Sequence, residues 1–155
     1  ALNYLTGTFY DNSSKYPTNF AAATTTIVAN AGTSLSFSWN YVSTDYVPWN
    51  DGSAVSVVNL SNSNAAALIN GYLAEIYILG ATNPGTGNYT TGSYGSTGWQ
   101  TATISFLSAG EYRLGFSVFN LGDTWLNPYF FVDNLPGLTL QNGSTYDPKI
   151  GRAHV

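Results

Sequence analysis

The sequence predicts an all-β protein, an antiparallel β-sandwich of the jelly-roll type with little helix. Apolar and polar residues alternate along several stretches of the chain, and this period of two is typical of strands that bury one face. Val, Ile, Thr, Tyr and Phe dominate the same stretches, as expected for strands. Closely spaced strands separated by glycine-containing turns favour an antiparallel sandwich. A parallel solenoid is the competing architecture, but no repeat of fixed length supports it.

The strongest strand signal covers Thr33–Val42, where Leu35, Phe37, Trp39 and Tyr41 alternate with serine and asparagine. Further strands are expected, in chain order, at Ser53–Leu60, Tyr72–Leu79, Trp99–Leu107, Glu111–Phe119, Pro128–Asn134 and Gly137–Gln141. In two places a strand, an Ala-Gly turn and a second alternating strand follow one another, and glycine forms such turns at low steric cost. The apolar faces of the best strands are expected to bury Phe37, Trp39, Ile104, Phe116 and Val118.

Two segments lack the strand pattern. Asn62–Gly71 is the one place where a short helical turn is expected. Gly80–Gly98 is long, rich in glycine and irregular. A loop of this length in a compact domain is usually functional or mobile, so we expect it to be the most mobile part of the molecule.

The length of 155 residues fits one domain with one core. We expect this domain to cover residues 1–148. Residues 149–155 contain the only histidine and two of the four basic residues, and this break in composition indicates an appended or disordered tail. The chain does not begin with Met, so we expect a processed secreted protein or a piece of a longer one.

The composition restricts the possible partners. Charged residues make up 8% of the chain, against roughly 25% in an average soluble protein, so the polar surface must be rich in hydroxyls and amides. The net charge is −4 and basic residues are not clustered, which argues against nucleic acid and anionic membranes as partners. No apolar run is long enough for membrane insertion. Few charges and no Cys or Met fit a secreted or cell-surface bacterial protein.

Most catalytic machinery is missing from the sequence. The only histidine lies in the tail and cysteine is absent, so a Ser-His-Asp triad and a zinc site lack the residues that they need. Glu75 and Glu111 lie in strand-like runs, and the aspartates lie in loops or at strand ends, so a two-carboxylate glycosidase is a minor alternative. We therefore expect a protein that is not an enzyme.

Scarce acidic residues recur beside asparagine, tryptophan or both, in or next to loops. These are Asn50 and Asp51 before one strand, Asp123 in a loop, and Asp133 and Asn134 at the end of another strand. Ca²⁺ is bound in proteins by carboxylate, amide and backbone oxygens, whereas Mg²⁺ demands a stricter octahedron. The five residues are therefore candidate calcium ligands. The alternative is ordinary turn capping by Asp and Asn side chains.

Aromatic residues in loops are candidates for ligand contact. Trp49 and Trp125 lie next to the acidic loops, and Tyr89 and Tyr94 lie in the glycine-rich segment. Exposed rings of this kind could stack on sugar rings. The alternative for each is packing in the core or on a strand face, which is the commoner use of aromatic residues.

Six short motifs, taken together, resemble a β-sandwich module of large repetitive (RTX-type) bacterial adhesins and related secreted proteins. They lie between about residues 24 and 138 and are, in order, Ser36-Phe37-Ser38-Trp39-Asn40-Tyr41, Trp49-Asn50-Asp51, Thr97-Gly98-Trp99-Gln100-Thr101, Ala109-Gly110-Glu111-Tyr112, Gly122-Asp123-Thr124 and Val132-Asp133-Asn134. The departures from the family pattern, at Ser38, Pro128 and the Gly-Ser after Asp51, concern the ligand pocket rather than the fold.

The resemblance implies a jelly-roll-like sandwich with a binding role, often with calcium. We therefore expect a monomeric extracellular module of a larger protein, which binds a glycan or a short peptide on a target surface through loops at one end. Two alternatives stay open. One is a carbohydrate-binding module attached to an enzyme, and the other is a structural spacer or surface-layer domain without a ligand, which a cluster of exposed aromatic residues at one loop end would argue against.

Overall fold

A computed structural model describes residues 17–62, 67–73, 75–83, 89–135, 139–141, 145–147 and 152–154. As predicted, these residues form two β-sheets packed against each other in an antiparallel sandwich. No helix occurs in the described ranges, and hence none that could cross a membrane.

The strands are β1 (Pro17–Ala29), β2 (Ser34–Val42), β3 (Gly52–Asn59), β4 (Ala67–Ile69), β5 (Tyr72–Leu73), β6 (Ile76–Ala81), β7 (Tyr89–Thr90), β8 (Gln100–Phe106), β9 (Gly110–Leu121), β10 (Tyr129–Asp133), β11 (Thr139–Gln141), β12 (Thr145–Asp147) and β13 (Arg152–His154). The first sheet has the order β11-β1-β9-β3-β6-β7, and the second has the order β12-β13-β10-β2-β8-β4-β5. All pairs are antiparallel except β6 with β7.

The path of the chain is that of a jelly roll. From β1 to β4 each successive strand lies in the opposite sheet, and the alternation continues through β6, β8, β9 and β10. The strands β1-β9-β3-β6 therefore face β2-β8-β4-β5, the wrapping that two interlocked Greek keys produce. Long registers hold it together, since β9 pairs with β1 along almost its whole length and with β3 on its other side.

The core lies between the sheets and uses the residues that alternation predicts. Phe37, Trp39, Ile104, Phe116 and Val118 are all buried, which confirms their assignment. The rings of Phe37 and Phe116 meet edge to face across the two sheets, with centroids 5.1 Å apart. This edge-to-face arrangement is one that aromatic pairs prefer.

Several predicted elements need correction. Residues 67–69 form strand β4, so the helical turn predicted for Asn62–Gly71 is wrong there, while residues 63–66 lie outside the described part. Strand β4 pairs with β8, and this long-range pairing outweighs the helical preference of the alanines. The predicted strand Tyr72–Leu79 is divided into β5 and β6 in different sheets.

The glycine-rich segment and the C-terminal tail also contain strands. Gly80 and Ala81 close β6, and Tyr89 and Thr90 form β7. Residues 84–88 lie outside the described ranges, so the mobility of this segment stays a prediction. In the tail, β13 lies between β10 and the edge strand β12 in the second sheet.

Candidate functional site: the loop end

Three connections meet at one end of the sandwich, because β2, β6 and β9 end there while β3, β8 and β10 begin there. We call this region the loop end; it consists of residues 43–51, 82–99 and 122–128, apart from the undescribed residues 84–88. The loop 43–51 lies centrally and contains a cis peptide bond between Val47 and Pro48.

Hydrogen bonds join the central loop to its two neighbours. The Ser43 backbone N–H donates to the Gly95 carbonyl over 2.8 Å, and the Tyr94 N–H donates to the Asp45 carbonyl over 2.8 Å. On the other side, the Thr44 hydroxyl donates to the Asn127 carbonyl over 3.0 Å. The three loops are therefore held together as one surface.

Exposed aromatic side chains concentrate on this surface. Among the described residues, the loop end and the adjoining strand starts expose the rings of Phe20, Tyr46, Tyr89, Tyr94, Trp99, Trp125 and Tyr129. The strongest exposures are those of Trp125 at 76% and Tyr94 at 64%. At the opposite end, the large exposed apolar residues that the structure describes are aliphatic: Val28, Val58, Leu60 and Leu107. We call the set Tyr46, Tyr94, Trp99, Trp125 and Tyr129 the aromatic face.

Two exposed residues of the loop end have left-handed backbone conformations. Tyr94 has φ of 54° and Leu126 has φ of 56°. This region costs roughly 1–2 kcal/mol for residues other than glycine, and such strain clusters at functional sites. The Tyr94 amide and the Leu126 carbonyl both bond to the central loop, at Asp45 and Thr44. The surrounding loops thus fix two apolar side chains in exposed positions.

The four aromatic residues singled out in the sequence differ in exposure. Trp125 and Tyr94 are largely exposed, whereas Trp49 is half-buried. Tyr89 is exposed on one side, and its ring contacts the buried Trp39 with centroids 5.3 Å apart. Sequence reasoning missed Tyr46, whose ring lies 6.1 Å from that of Tyr94. Its position before Val-Pro-Trp in a turn was the signal that could have identified it.

A buried polar network supports the aromatic face from below. The Tyr41 hydroxyl lies 2.9 Å from the Thr82 hydroxyl, which lies 2.8 Å from the Ser43 hydroxyl. All three residues are buried. Burial raises the pKa of Tyr41 far above its ordinary value, and the hydrogen bond to Thr82 opposes this rise only in part. Tyr41 therefore acts as a neutral hydrogen-bonding group that ties β2 to the 82–99 connection.

Three of the five predicted calcium ligands lie at the loop end. Asp51 is fully buried, and its Oδ1 accepts the Leu121 N–H over 3.0 Å. Asn50 is also buried, and its Oδ1 accepts the Asn83 N–H over 3.0 Å. Asp123 follows two residues after Leu121, and its Oδ1 accepts the Trp125 N–H over 2.9 Å, which is a turn-capping bond.

The structure does not bring Asp133 and Asn134 to this site. Tyr129 pairs with Val42 at the loop end, but Asp133 is four residues further along β10 and pairs with Ser38. At about 3.3 Å per residue, this places Asp133 some 13 Å along the strand from the loop end. Its Oδ1 accepts the N–H of Asn134 over 2.8 Å, again a local capping bond.

Two asparagines that the sequence did not single out lie at the same end of the first sheet as Asp51. Asn120 is on the strand next to Asp51, and Asn19 is on the strand beyond it. Asn19 on β1 and Asn120 on β9 are directly opposite in the antiparallel register. Their Nδ2 atoms both donate to Oδ1 of Asn127, over 2.9 and 3.0 Å. Their own Oδ1 atoms are buried, and no donor among the described residues reaches either. No sequence pattern indicated them, because only the pairing of β1 with β9 brings them together.

The loop end therefore combines an exposed aromatic surface with a buried corner of hard oxygen atoms. The first can stack on flat or ring-shaped ligands, and the second has the donor chemistry for a divalent cation. No family model, curated protein or solved structure matches this chain.

Proposed function

We propose that this protein is a non-catalytic, extracellular ligand-binding module of the adhesin type, which binds its target through the aromatic face. The observation that carries the proposal is the uneven distribution of exposed aromatic residues. Among the exposed aromatic residues that the structure describes, only Tyr72 lies away from the loop end, on a sheet edge. All the others lie at or near the loop end. A domain that served only as a spacer would have no reason to expose rings at one end.

A glycan is the ligand class that this surface favours. Exposed rings stack on the apolar faces of sugar rings, while the neighbouring serine, threonine and asparagine side chains can bond hydroxyl groups. The one basic side chain whose position the structure describes, Arg113, points to solvent near the opposite end of β9. A peptide carboxylate would therefore depend on a bound cation, which makes a peptide the second candidate.

The placement of the two glutamates supports a non-catalytic role. Glu111 and Glu75 are exposed, and their backbones bond to Leu60 and Val57, next to or within the far end of β3. Both therefore lie away from the aromatic face. The same surface also suits a carbohydrate-binding module attached to an enzyme, which is the alternative form of this proposal.

The test is a glycan array probed with the labelled protein, in parallel with a library of short peptides. We expect binding to a restricted set of glycans, confirmed by titration calorimetry, and no release of reducing sugars on prolonged incubation. Binding to peptides but not to glycans would show that the ligand is a peptide, the second candidate. Absence of binding to either library would contradict the proposed function, and release of sugars would contradict its non-catalytic character.

Calcium is part of the proposal as a bound cofactor. Of the ligands predicted from the sequence, Asn50, Asp51 and Asp123 lie at the loop end, while Asp133 and Asn134 do not. The buried amide oxygens of Asn19 and Asn120 supply hard donors in their place. The calcium ligands that we propose at this corner therefore differ in part from the set predicted from the sequence.

A further inference from the structure

We propose that Asn19, Asn120 and Asp51 form a Ca²⁺ site at the end of the first sheet. The three residues come from neighbouring strands or their extension. Asn19 is opposite Asn120, and Asp51 immediately precedes Gly52, which is opposite Phe119. The bond from the Leu121 amide to Asp51 Oδ1 confirms that this carboxylate lies beside the end of β9. The inference deepens the calcium dependence in the proposed function and rests on it for its biological role.

The orientation of the side-chain amides of Asn19 and Asn120 follows from one backbone atom, the carbonyl oxygen of Trp125. One terminal atom of Asn120 lies 3.0 Å from the Trp125 carbonyl oxygen. A carbonyl can only accept, so this atom must be Nδ2. The same Nδ2 also contacts a terminal atom of Asn127, which must then be an oxygen. Asn19 therefore faces that oxygen with its own Nδ2. Both remaining Oδ1 atoms are consequently acceptors.

These two buried acceptors point to a bound positive group. A buried carbonyl oxygen that receives no hydrogen bond costs roughly 1–3 kcal/mol, so two of them on directly paired residues are rare in a native protein. Asn120 is 1% exposed, and the Asn19 Oδ1 atom is also shielded from solvent. A water molecule could donate to both oxygens. The neighbouring Asp51 carboxylate adds negative charge, which favours a cation over a neutral water.

The donor set favours calcium among the common divalent ions. Ca²⁺ accepts carboxylate, amide and backbone oxygens in irregular arrangements, and Mg²⁺ requires a compact octahedron and keeps its waters. The three residues would supply one carboxylate and two amide oxygens. Further ligands would come from water or backbone carbonyls.

Such a site would connect the cation to the aromatic face. Asn120 holds the backbone carbonyl of Trp125 through Nδ2 while its Oδ1 turns towards the proposed ion. Asp51 closes the central loop, and its backbone carbonyl accepts the Thr82 N–H over 2.9 Å. Calcium would thus order the loops that present Trp125 without contacting the ligand itself.

The test is calorimetric titration of chelator-treated protein with CaCl₂, together with thermal melts in CaCl₂, MgCl₂ and chelator. We expect saturable heat. At a hundredfold excess of Ca²⁺ over Kd we expect a rise in Tm of about 5–10 °C, with a smaller rise in MgCl₂. Asn120→Ala and Asn19→Ala should abolish both effects. Asp133→Asn is the control and should leave both unchanged, because Asp133 lies at a distance along β10.

Folding of each variant is checked by circular dichroism. Should Asn120→Ala fail to fold, Asp51→Asn tests the same site. It keeps the Oδ1 that accepts the Leu121 N–H but removes the negative charge, so it should weaken calcium binding at least about tenfold. Absence of heat and of a Tm shift in the unmodified protein would overturn the site and assign the corner to a buried water. Loss of calcium binding in Asp133→Asn but not in Asn19→Ala would also overturn it. These measurements contain no glycan. A negative calcium result would therefore leave the proposed glycan binding by the aromatic face untouched.

Discussion

Single buried side chains determine how firmly the two sheets are joined. Trp39 is fully buried at the centre of β2, between the rings of Phe130 and Tyr89. Because the neighbouring strands cannot collapse into the volume of an indole, Trp39→Ala should lower the free energy of unfolding by about 3–5 kcal/mol. Urea denaturation measures this change, with the exposed Val28→Ala as control. A loss below about 1 kcal/mol would show that Trp39 does not belong to the core.

Because of the buried Tyr41 hydroxyl, the free energy of unfolding depends on pH in the alkaline range. Its folded pKa is raised by burial, so below about pH 10 both the folded and the unfolded chain keep this proton. Above that pH the unfolded chain releases the proton and the folded chain retains it, so stability must fall. We expect Tyr41 to contribute about 1.4 kcal/mol per pH unit to this decline. Denaturation between pH 9 and 11 should show a shallower slope for Tyr41→Phe, and an unchanged slope would contradict the assignment.

The left-handed conformation of Tyr94 affects the stability of a whole loop. Asparagine tolerates this backbone region, while tyrosine is strained in it, and the Tyr94 side chain buries little surface. Tyr94→Asn should therefore stabilise the fold by about 0.5–1 kcal/mol and weaken ligand binding. Thermal melts measure the first effect and titration the second. A destabilised variant would show that the ring contact with Tyr46 outweighs the strain.

At the level of strands, most of β2, β8, β9 and β10 buries one face, whereas the first half of β3 is buried on both faces. Alternation nonetheless predicted all five nearly to the residue. It gave no separate prediction for the N-terminal half of β1, whose Ala and Thr residues lack a clear apolar face. It also missed β4, which is too short to show a period and depends on its pairing with β8. Pairing across the sheet, rather than local sequence, defines these two strands.

The same reasoning explains which candidate ligands lie at the same end of the sandwich. Asp123 precedes β10 and Asp133 ends it, and the two ends of a strand lie at opposite ends of a sandwich. The predicted strand between Asp123 and Asp133 was therefore already incompatible with a calcium site that contains both residues. Asp51 and Asp123 lie at the same end of the sandwich because one precedes β3 and the other follows β9, which are antiparallel neighbours. Asn19 and Asn120 could not be found from sequence, because their register depends on the whole length of β1.

At the scale of the molecule, the jelly-roll path collects loops from both sheets at one end. This arrangement places exposed residues that are distant in sequence, such as Tyr46, Tyr94 and Trp125, at one end of the molecule. The composition predicted a neutral surface suited to hydrogen bonding and stacking. Its location on the molecule could not be predicted without the topology, because strand order decides which loops become neighbours.

The central claim is that the aromatic face is the binding surface, and paired tyrosine variants test it most directly. Tyr94 and Tyr72 are both 64% exposed, but Tyr94 lies on the aromatic face and Tyr72 lies on the edge strand β5. Titration calorimetry with the best glycan from the array should show that Tyr94→Ala and Trp125→Ala each raise Kd at least about tenfold, the loss typical of exposed aromatic anchors. Tyr72→Ala should change Kd less than about twofold. An equal loss for Tyr72→Ala, or unchanged affinity for both loop-end variants, would contradict the claim.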